Sequence, residues 1–394
     1  MAAFTLSSLP ATRRLTGVAV ASLVFASFLS YIFLSSSRYN YPTFPFSSVS
    51  DAACDDIDST INKAAGKSAQ HGIPNIVHYV WLLKDHTEFR LSFRVFISIY
   101  SAHLFWQPET IFIHTDANPD VYREAQIFGD VWTRRILALP AITPHFVQAP
   151  NVTEKGVKIV RLEHKADFVR MSALREYGGV YLDTDAVPLR DIGSLQNSGF
   201  ANVLGLQTGL SMRFSGYLNN GVMMSVKQSS LMELYYHAAQ QFFDGRWATA
   251  SVDLLTDLAT RLVSIPSEVL ILEPRAFSPM SWQFEDQNRL FKPSSTELVG
   301  HLLSSSTTPD TTTCRDALAW LRQRELAERD SQEVDFSSSY VLHAFDNSLD
   351  KIWGWDHVID VKYVLERRSI YARAVFPAVW HAVQGGIIPQ DEID

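Results

Sequence analysis

Cysteine is nearly absent. Cys54 and Cys314 are the only two in 394 residues, so at most one internal disulfide can form. Positive charge is short as well: 34 Lys and Arg stand against 42 Asp and Glu, for a net charge of -8. No basic stripe emerges to track phosphates, which argues against a general nucleic-acid binder. No segment repeats, no nucleophile stands out, and Asn151-Val152-Thr153 is the single N-glycosylation sequon. What is present is apolar: 46% of the residues are hydrophobic and 19% charged. That suffices for a full hydrophobic core, as one large α/β domain or two smaller ones.

The N-terminus holds one long uncharged run. After Arg13 and Arg14 no charge occurs from Leu15 to Leu34, a stretch that as a helix would be about 30 Å long, one hydrocarbon core. Two arginines precede it and only Arg38 follows closely. The positive-inside rule then keeps residues 1–14 cytosolic and the bulk of the chain lumenal. The expectation is a single-pass type II signal anchor at 15–34, in the Golgi or ER, whose thinner membranes suit a short span. A cleaved signal peptide ending at the small-x-small site Ser35 and Ser37 is the competing reading, though apolar cores of ~7–15 residues are usual for those. Residues 35–72 are rich in Ser, Pro and Asp without apolar periodicity, which reads as a flexible stem. The sequon agrees with lumenal exposure. There the two cysteines would meet an oxidising compartment in which they could pair.

From Ile73 the texture changes, and 73–394 reads as one domain. Asn75 to Trp81 (NIVHYVW) and Thr110 to His114 (TIFIH) read as short buried strands flanking a helix-like stretch, Phe89 to Trp106. Val157 to Leu162 (VKIVRL) is a third strand candidate. Glu163 to Tyr177 reads as a helix, with Phe168, Met171 and Leu174 at three-residue spacing and Gly178-Gly179 at its C-terminus. NVLGLQ and GVMMSV look like further strands, and 231–243, 252–262 and 315–329 like helices. Strands alternating with helices predict an α/β fold with a mainly parallel sheet. Ser304 to Thr313 (SSSTTPDTTT) is low in complexity and reads as a mobile surface loop.

Gly178 to Leu189, GGVYLDTDAVPL, sets two carboxylates one residue apart after a strand. Asp-x-Asp alone is weak, and the chain carries its own decoy in Asp56-Ile57-Asp58 of the stem. Context separates them. Ligand sites in open α/β sheets lie off the carboxyl ends of strands, and at strand spacing Asp183 and Asp185 would point to one side. Two like charges so close call for a cation between them, for which a hard divalent ion shared with a substrate's phosphates is the natural choice. The bland alternative is a pair of solvated turn residues before Pro188. The helix and the strand after the Gly-Gly return bring helix start and strand end together. Asp167 and Arg170, three residues apart, then share a face on the side of the acid pair, unless they form only a solvated surface pair.

The segment HKADFVRMSALREYGGVYLDTDAVPL, His164 to Leu189, resembles the DXD segment of glycosyltransferase family 32, whose members include Golgi mannosyl- and galactosyltransferases. IPNIVHYVW (Ile73 to Trp81) resembles that family's opening strand and YLNNGVMMS (Tyr217 to Ser225) its Asn-Gly strand. The resemblance spans roughly residues 73 to 230. It implies a GT-A type nucleotide-sugar transferase fold, a UDP- or GDP-linked sugar donor, Mn2+ (or Mg2+), retention of anomeric configuration, and a glycan or glycolipid acceptor. By position it implies that Asp183 contacts the donor's ribose and sugar and that Asp185 holds the metal. Asp167 and Arg170 would bind sugar hydroxyls and the phosphate side, Tyr181 would line the site, Trp81 would stack on the base, and Asn220 would face the donor sugar. Core packing (Trp81, Tyr181) and a turn role (Asn220) are the plain alternatives. Similar enzymes complete the metal shell with a late His, which His343 matches, although Phe345 departs from the usual His-x-Trp pattern and leaves a buried strand histidine open. Lys351, Trp353 and Trp355 are candidates for a flap over the donor, and Arg367 and Arg368 for a diphosphate contact.

The chemistry expected is sugar transfer through an oxocarbenium-like transition state. The ion, together with Arg170, would stabilise charge on the departing diphosphate. A front-face attack by the acceptor hydroxyl needs no protein nucleophile. Two other readings remain. A haloacid-dehalogenase-like phosphatase would use Asp183 as nucleophile and Asp185 as acid, but its motif normally opens the fold, whereas about 110 residues of the domain precede it here. A catalytically inactive partner would keep the fold and assist another transferase.

Overall fold

Strands buried on both faces organise the molecule. In β1 (Ile76–Val80), Val77 and Tyr79 pack to one side while Val80 packs to the other, because side chains two apart share a face. The structure, a computed structural model, describes residues 72–207, 216–294, 313–319, 322, 334, 336–346, 349 and 352–390. All lie in the unit that the chain forms from Asp51 to Asp394. The tail 1–14, the anchor 15–34 and all but Gly72 of the stem 35–72, with Cys54 and the decoy Asp56–Asp58, lie outside the described residues. Among the described residues no helix is long and apolar enough to cross a membrane.

After β1 come α1 (Phe93–Trp106), β2 (Thr110–Thr115), α2 (Pro119–Phe128), α3 (Val131–Leu137), β3 (Ile142–Phe146), α4 (Leu162–Tyr177), β4 (Gly179–Leu182) and β5 (Ala186–Pro188). The chain continues with β6 (Asn202–Leu206), β7 (Leu218–Ser225), α5 (Ser230–Phe242), α6 (Leu254–Leu262), β8 (Val269–Leu272), α7 (Phe284–Phe291), β9 (Val341–His343), α8 (Val361–Glu366) and α9 (Ile370–Gln384). Seven strands form one sheet in the order β3-β2-β1-β4-β7-β6-β8, and β5 pairs with β9 in a second, two-stranded sheet. Strand β7 runs antiparallel to both its neighbours, and the other ladders of the large sheet are parallel. The mainly parallel α/β sheet expected from the alternation is therefore present, with one strand reversed. One core face carries α1, α7 and α9, and the other carries α4, α5 and α6.

Two expectations are corrected. Val157–Leu162 is not a sheet strand: Lys158 makes only an isolated bridge to Val152, and Val160 is 80% exposed. The third strand is β3, whose sequence ITPHF hides it behind Pro144. Proline lacks the ladder donor and is confined to sheet edges, and β3 is an edge. The helix expected from Phe89 begins only at Phe93, where Ser92 caps it by accepting from the Val95 N–H. Of the 315–329 helix only part is described, and 314–319 is helical. The low-complexity stretch lies outside the described residues but for Thr313.

The Gly178-Gly179 return is sterically compulsory. Their φ values are 69° and 101°, a region open to glycine. A Cβ on Gly178 would lie 2.6 Å from Lys227 N, and one on Gly179 would collide with Ile76 O.

Candidate functional site

Strand β4 ends at Leu182, and the Asp183 N–H still donates to Gly221 O on β7 (2.8 Å). The chain then leaves the large sheet for the small one, so Asp183–Asp185 form a turn closed by Ala186 N donating to Asp183 O (2.9 Å). The strand spacing expected for the two acids is thus replaced by a turn, yet both carboxylates converge. They meet at His343 of β9, which pairs with Ala186. Its Nε2 lies 3.2 Å from Asp185 Oδ1 and 3.7 Å from Asp183 Oδ2. Ligand atoms of Asp183, Asp185 and His343 all fall within 4.8 Å of one another.

Beneath them sits Arg170, brought from α4 by the Gly-Gly return. Its Nη1 is 3.1 Å from Asp183 Oδ1 and donates to Asn220 O (2.8 Å), and its Nη2 is 3.4 Å from Asp167 Oδ1. The guanidinium lies over the Tyr181 ring at 4.5 Å, and the Tyr181 hydroxyl donates to Asp183 Oδ1 (2.6 Å). Asn220 faces Asp167, donating to its Oδ1 at 3.0 Å. Arg170 is only 6% exposed. Asp167 and Arg170 thus share a face beside the acid pair, and the alternative of a solvated surface pair is excluded, since α4 buries this face against β4 and β7.

Burial and charge set the protonation states. Burial pushes the Asp167 carboxyl up to about 6 against the pull of Arg170. Burial also opposes charge on Asp185, but the nearby His343 outweighs it and holds the carboxyl below its usual range. His343 is raised in turn: burial disfavours its cation, and the two aspartates more than compensate.

Of the other residues singled out, Trp81 is half-buried just past β1, its main-chain N–H donating to His114 O (2.8 Å). It sits one strand over from the acidic turn. Trp353 is 83% exposed, whereas Trp355 stacks on Tyr363 at 5.5 Å. Lys351 lies outside the described residues. Arg367 lies over Phe376 and Arg368 donates to Ser294 O, so the structure does not bring them to the acid pair. Cys314 is half-buried.

Sequence reasoning missed four contributors. Asn219 Oδ1 lies 3.1 Å from His343 Nδ1. A Cβ on Gly221 would sit 2.5 Å from His343 Cε1 and 2.6 Å from Asp183 Oδ2. Asp346 donates its N–H to Asp185 Oδ2 (3.2 Å), and its carboxylate pairs with Arg94 (2.6 Å). The period of two in β7 was an available signal, since Asn219 and Gly221 must share the face that Asn220 does not. Arg94 and Asp346 lie 252 residues apart and left none. Two carboxylates and an imidazole nitrogen, with space kept clear by a glycine, fit a divalent cation.

Residues 113–207 match the family model of the glycosyltransferase sugar-binding region containing DXD motif. That segment holds Asp167, Arg170, Tyr181, Asp183 and Asp185. The acidic turn and the helix before it thus lie in a region similar to the DXD glycosyltransferases. This match and the relatives below bear out the family resemblance read from His164 to Leu189. Glucan organizing enzyme 1 of Cryptococcus neoformans is 27% identical over 222 residues, 54% of this chain and 56% of that protein. Lactosylceramide 4-alpha-galactosyltransferase of Homo sapiens is 29% identical over 151 residues, 36% of this chain and 39% of that protein. The chain therefore spans less than two thirds of the length of these relatives. Among solved structures, PaToxG glycosyltransferase aligns with 60% of this chain and 80% of its own, at 15% identity and a TM-score of 0.36.

Proposed function

We propose that this chain is a metal-dependent retaining glycosyltransferase of GT-A type. It moves a hexose of the mannose or galactose kind from a UDP- or GDP-linked donor to a glycan or glycolipid acceptor. The observation that carries this is the convergence of Asp183, Asp185 and His343 on one point, the two aspartates lying inside the matched sugar-binding region. A divalent ion held there, Mn2+ or Mg2+, would supply positive charge to the departing diphosphate.

The chain's own residues prepare that point. Arg170 and Tyr181 fix the Asp183 carboxylate from below, leaving its other oxygen toward His343. Asp167, held by Arg170 and Asn220, would accept from a sugar hydroxyl, as the family resemblance implies. Trp81, just past the C-terminal end of β1, would stack on the base, as the family resemblance implies. Attack by the acceptor hydroxyl beside the leaving group needs no further protein nucleophile. The reading places the catalytic domain in the lumen of the Golgi or ER behind the 15–34 anchor.

A turnover assay of the full-length protein against UDP- and GDP-sugars, with and without Mn2+, tests the proposal. Sugar release or transfer that needs the metal and is lost in Asp185→Asn supports it. Turnover of phosphomonoesters instead would point to the phosphatase chemistry, which the site does not favour. Metal binding without any turnover would make the chain an inactive partner.

A further inference from the structure

The two ring nitrogens of a histidine are not equivalent, and only a deprotonated nitrogen can bind a metal. In a neutral His343 either nitrogen could carry the proton, and what lies on its far side decides between them. Nδ1 faces Asn219 Oδ1 at 3.1 Å. The same oxygen accepts from the Gly221 N–H at 2.7 Å, and Asn219 Nδ2 donates to Gln207 Oε1 at 3.2 Å. A main-chain N–H can only donate, so the atom it meets is the amide oxygen and not the nitrogen. An amide oxygen can only accept. The proton between Asn219 and His343 must therefore sit on Nδ1. Nε2 is then left with its lone pair, aimed at Asp183 and Asp185.

We infer that Asn219 is a positioning residue that fixes the Nδ1–H tautomer of His343 and so turns Nε2 into a metal ligand. Phe345 completes the hold. Its backbone takes a φ of 52°, unusual for a non-glycine residue, and its ring stacks on the imidazole with centroids 3.9 Å apart. Asn219 sets which nitrogen is free, and Phe345 keeps the ring plane. A lone pair facing two carboxylates is repulsive without a positive charge among the three. A bound cation would supply that charge, as a second ring proton does in its absence.

The inference deepens the metal-dependent reading above and rests on it only for the metal itself. The tautomer can be read without metal or substrate. In 15N-histidine-labelled full-length protein, long-range 15N–1H correlations at a pH where the ring is neutral should show His343 protonated at Nδ1, with His343→Gln supplying the assignment. An Nε2–H tautomer in the unsubstituted protein overturns the inference, whatever the activity proves to be.

Replacing Asn219 tests the consequence. Asn219→Leu removes the acceptor, so the Nδ1–H preference should be lost and Mn2+ affinity, read by EPR of the free ion, should fall about 10–100-fold, as is usual when the partner of a ligating histidine is removed. Asn219→Asp keeps the acceptor, and Gln207 can turn its amide to donate. It should retain both the tautomer and Mn2+ binding. Unchanged affinity and tautomer in Asn219→Leu would show that Asn219 only packs. Equal loss in the Asp variant would show the same, because a conserved acceptor would then have rescued nothing. A correct tautomer in a protein that binds no Mn2+ leaves Asn219 in its role and sinks the metal-dependent function instead.

Discussion

Gly221 is the residue at which chemistry and space meet most tightly. It has no side chain because His343, Asp183 and Asn219 already occupy the volume that a Cβ would enter. Gly221→Ala should therefore lower Mn2+ affinity by at least about 10-fold, while the overpacking costs about 1–3 kcal/mol of stability. EPR titration and a thermal melt check the two parts separately. Arg170 gives the opposite balance. A solvated pair would contribute only ~0–1 kcal/mol. Buried among Asp167, Asp183 and Asn220, it should cost about 3–5 kcal/mol when Arg170→Ala strands those acids. Urea unfolding measures this, and a loss below ~1 kcal/mol would return it to the surface. The acid pair, Asp167 and Arg170 were legible in the sequence because a helix, a Gly-Gly return and a strand are local geometry. Burial was not legible, since it depends on β7, which closes over that face from 50 residues further on.

At the scale of elements, β1, β2 and β3 carry a chain of histidines beneath the C-terminal end of α4. His78 Nε2 donates to Gly178 O (2.7 Å), its Nδ1 meets His114 Nε2 (2.9 Å), and His114 Nδ1 meets His145 Nδ1 (2.9 Å). Tyr177 lies 3.3 Å from the far nitrogen of His145, and Phe112 packs against all three rings. Burial holds His78 down to about 4 and His114 to about 2. An unfolded histidine titrates near 6.5. Below that pH the unfolded chain takes up protons that the folded rings refuse, so stability is full above about 6.5 and falls as the medium acidifies. The loss should reach ~2 kcal/mol per ring by pH 5. The melting temperature should drop from pH 7 to 5, and less steeply in His114→Phe. Equal slopes would mean that other groups dominate. The strands carrying β1 and β2 were legible from their apolar runs. β3 was not, because its edge position tolerates a proline that a central strand could not.

For the whole molecule the first expectation concerns topology. If 15–34 is an anchor, the full-length protein stays in carbonate-washed membranes and Asn151, exposed in the structure, gains a glycan. Soluble secreted protein beginning near Arg38 would show a cleaved signal instead. The pairing of β5 with β9 has a different consequence, one of timing. Asp185 and Asp346 are joined across 161 residues, and His343 belongs to the same late segment. At a synthesis rate of ~5–20 residues per second, roughly 8–32 s separate the emergence of the acidic turn from that of its partner. During that interval the nascent chain holds two facing carboxylates with no imidazole opposite them. Chains halted before Val341 should accordingly bind Mn2+ far more weakly than finished ones, even where the large sheet has formed. On the metal-dependent reading, metal capture would then report that translation has passed His343, and a chain stalled earlier would be left without its third ligand.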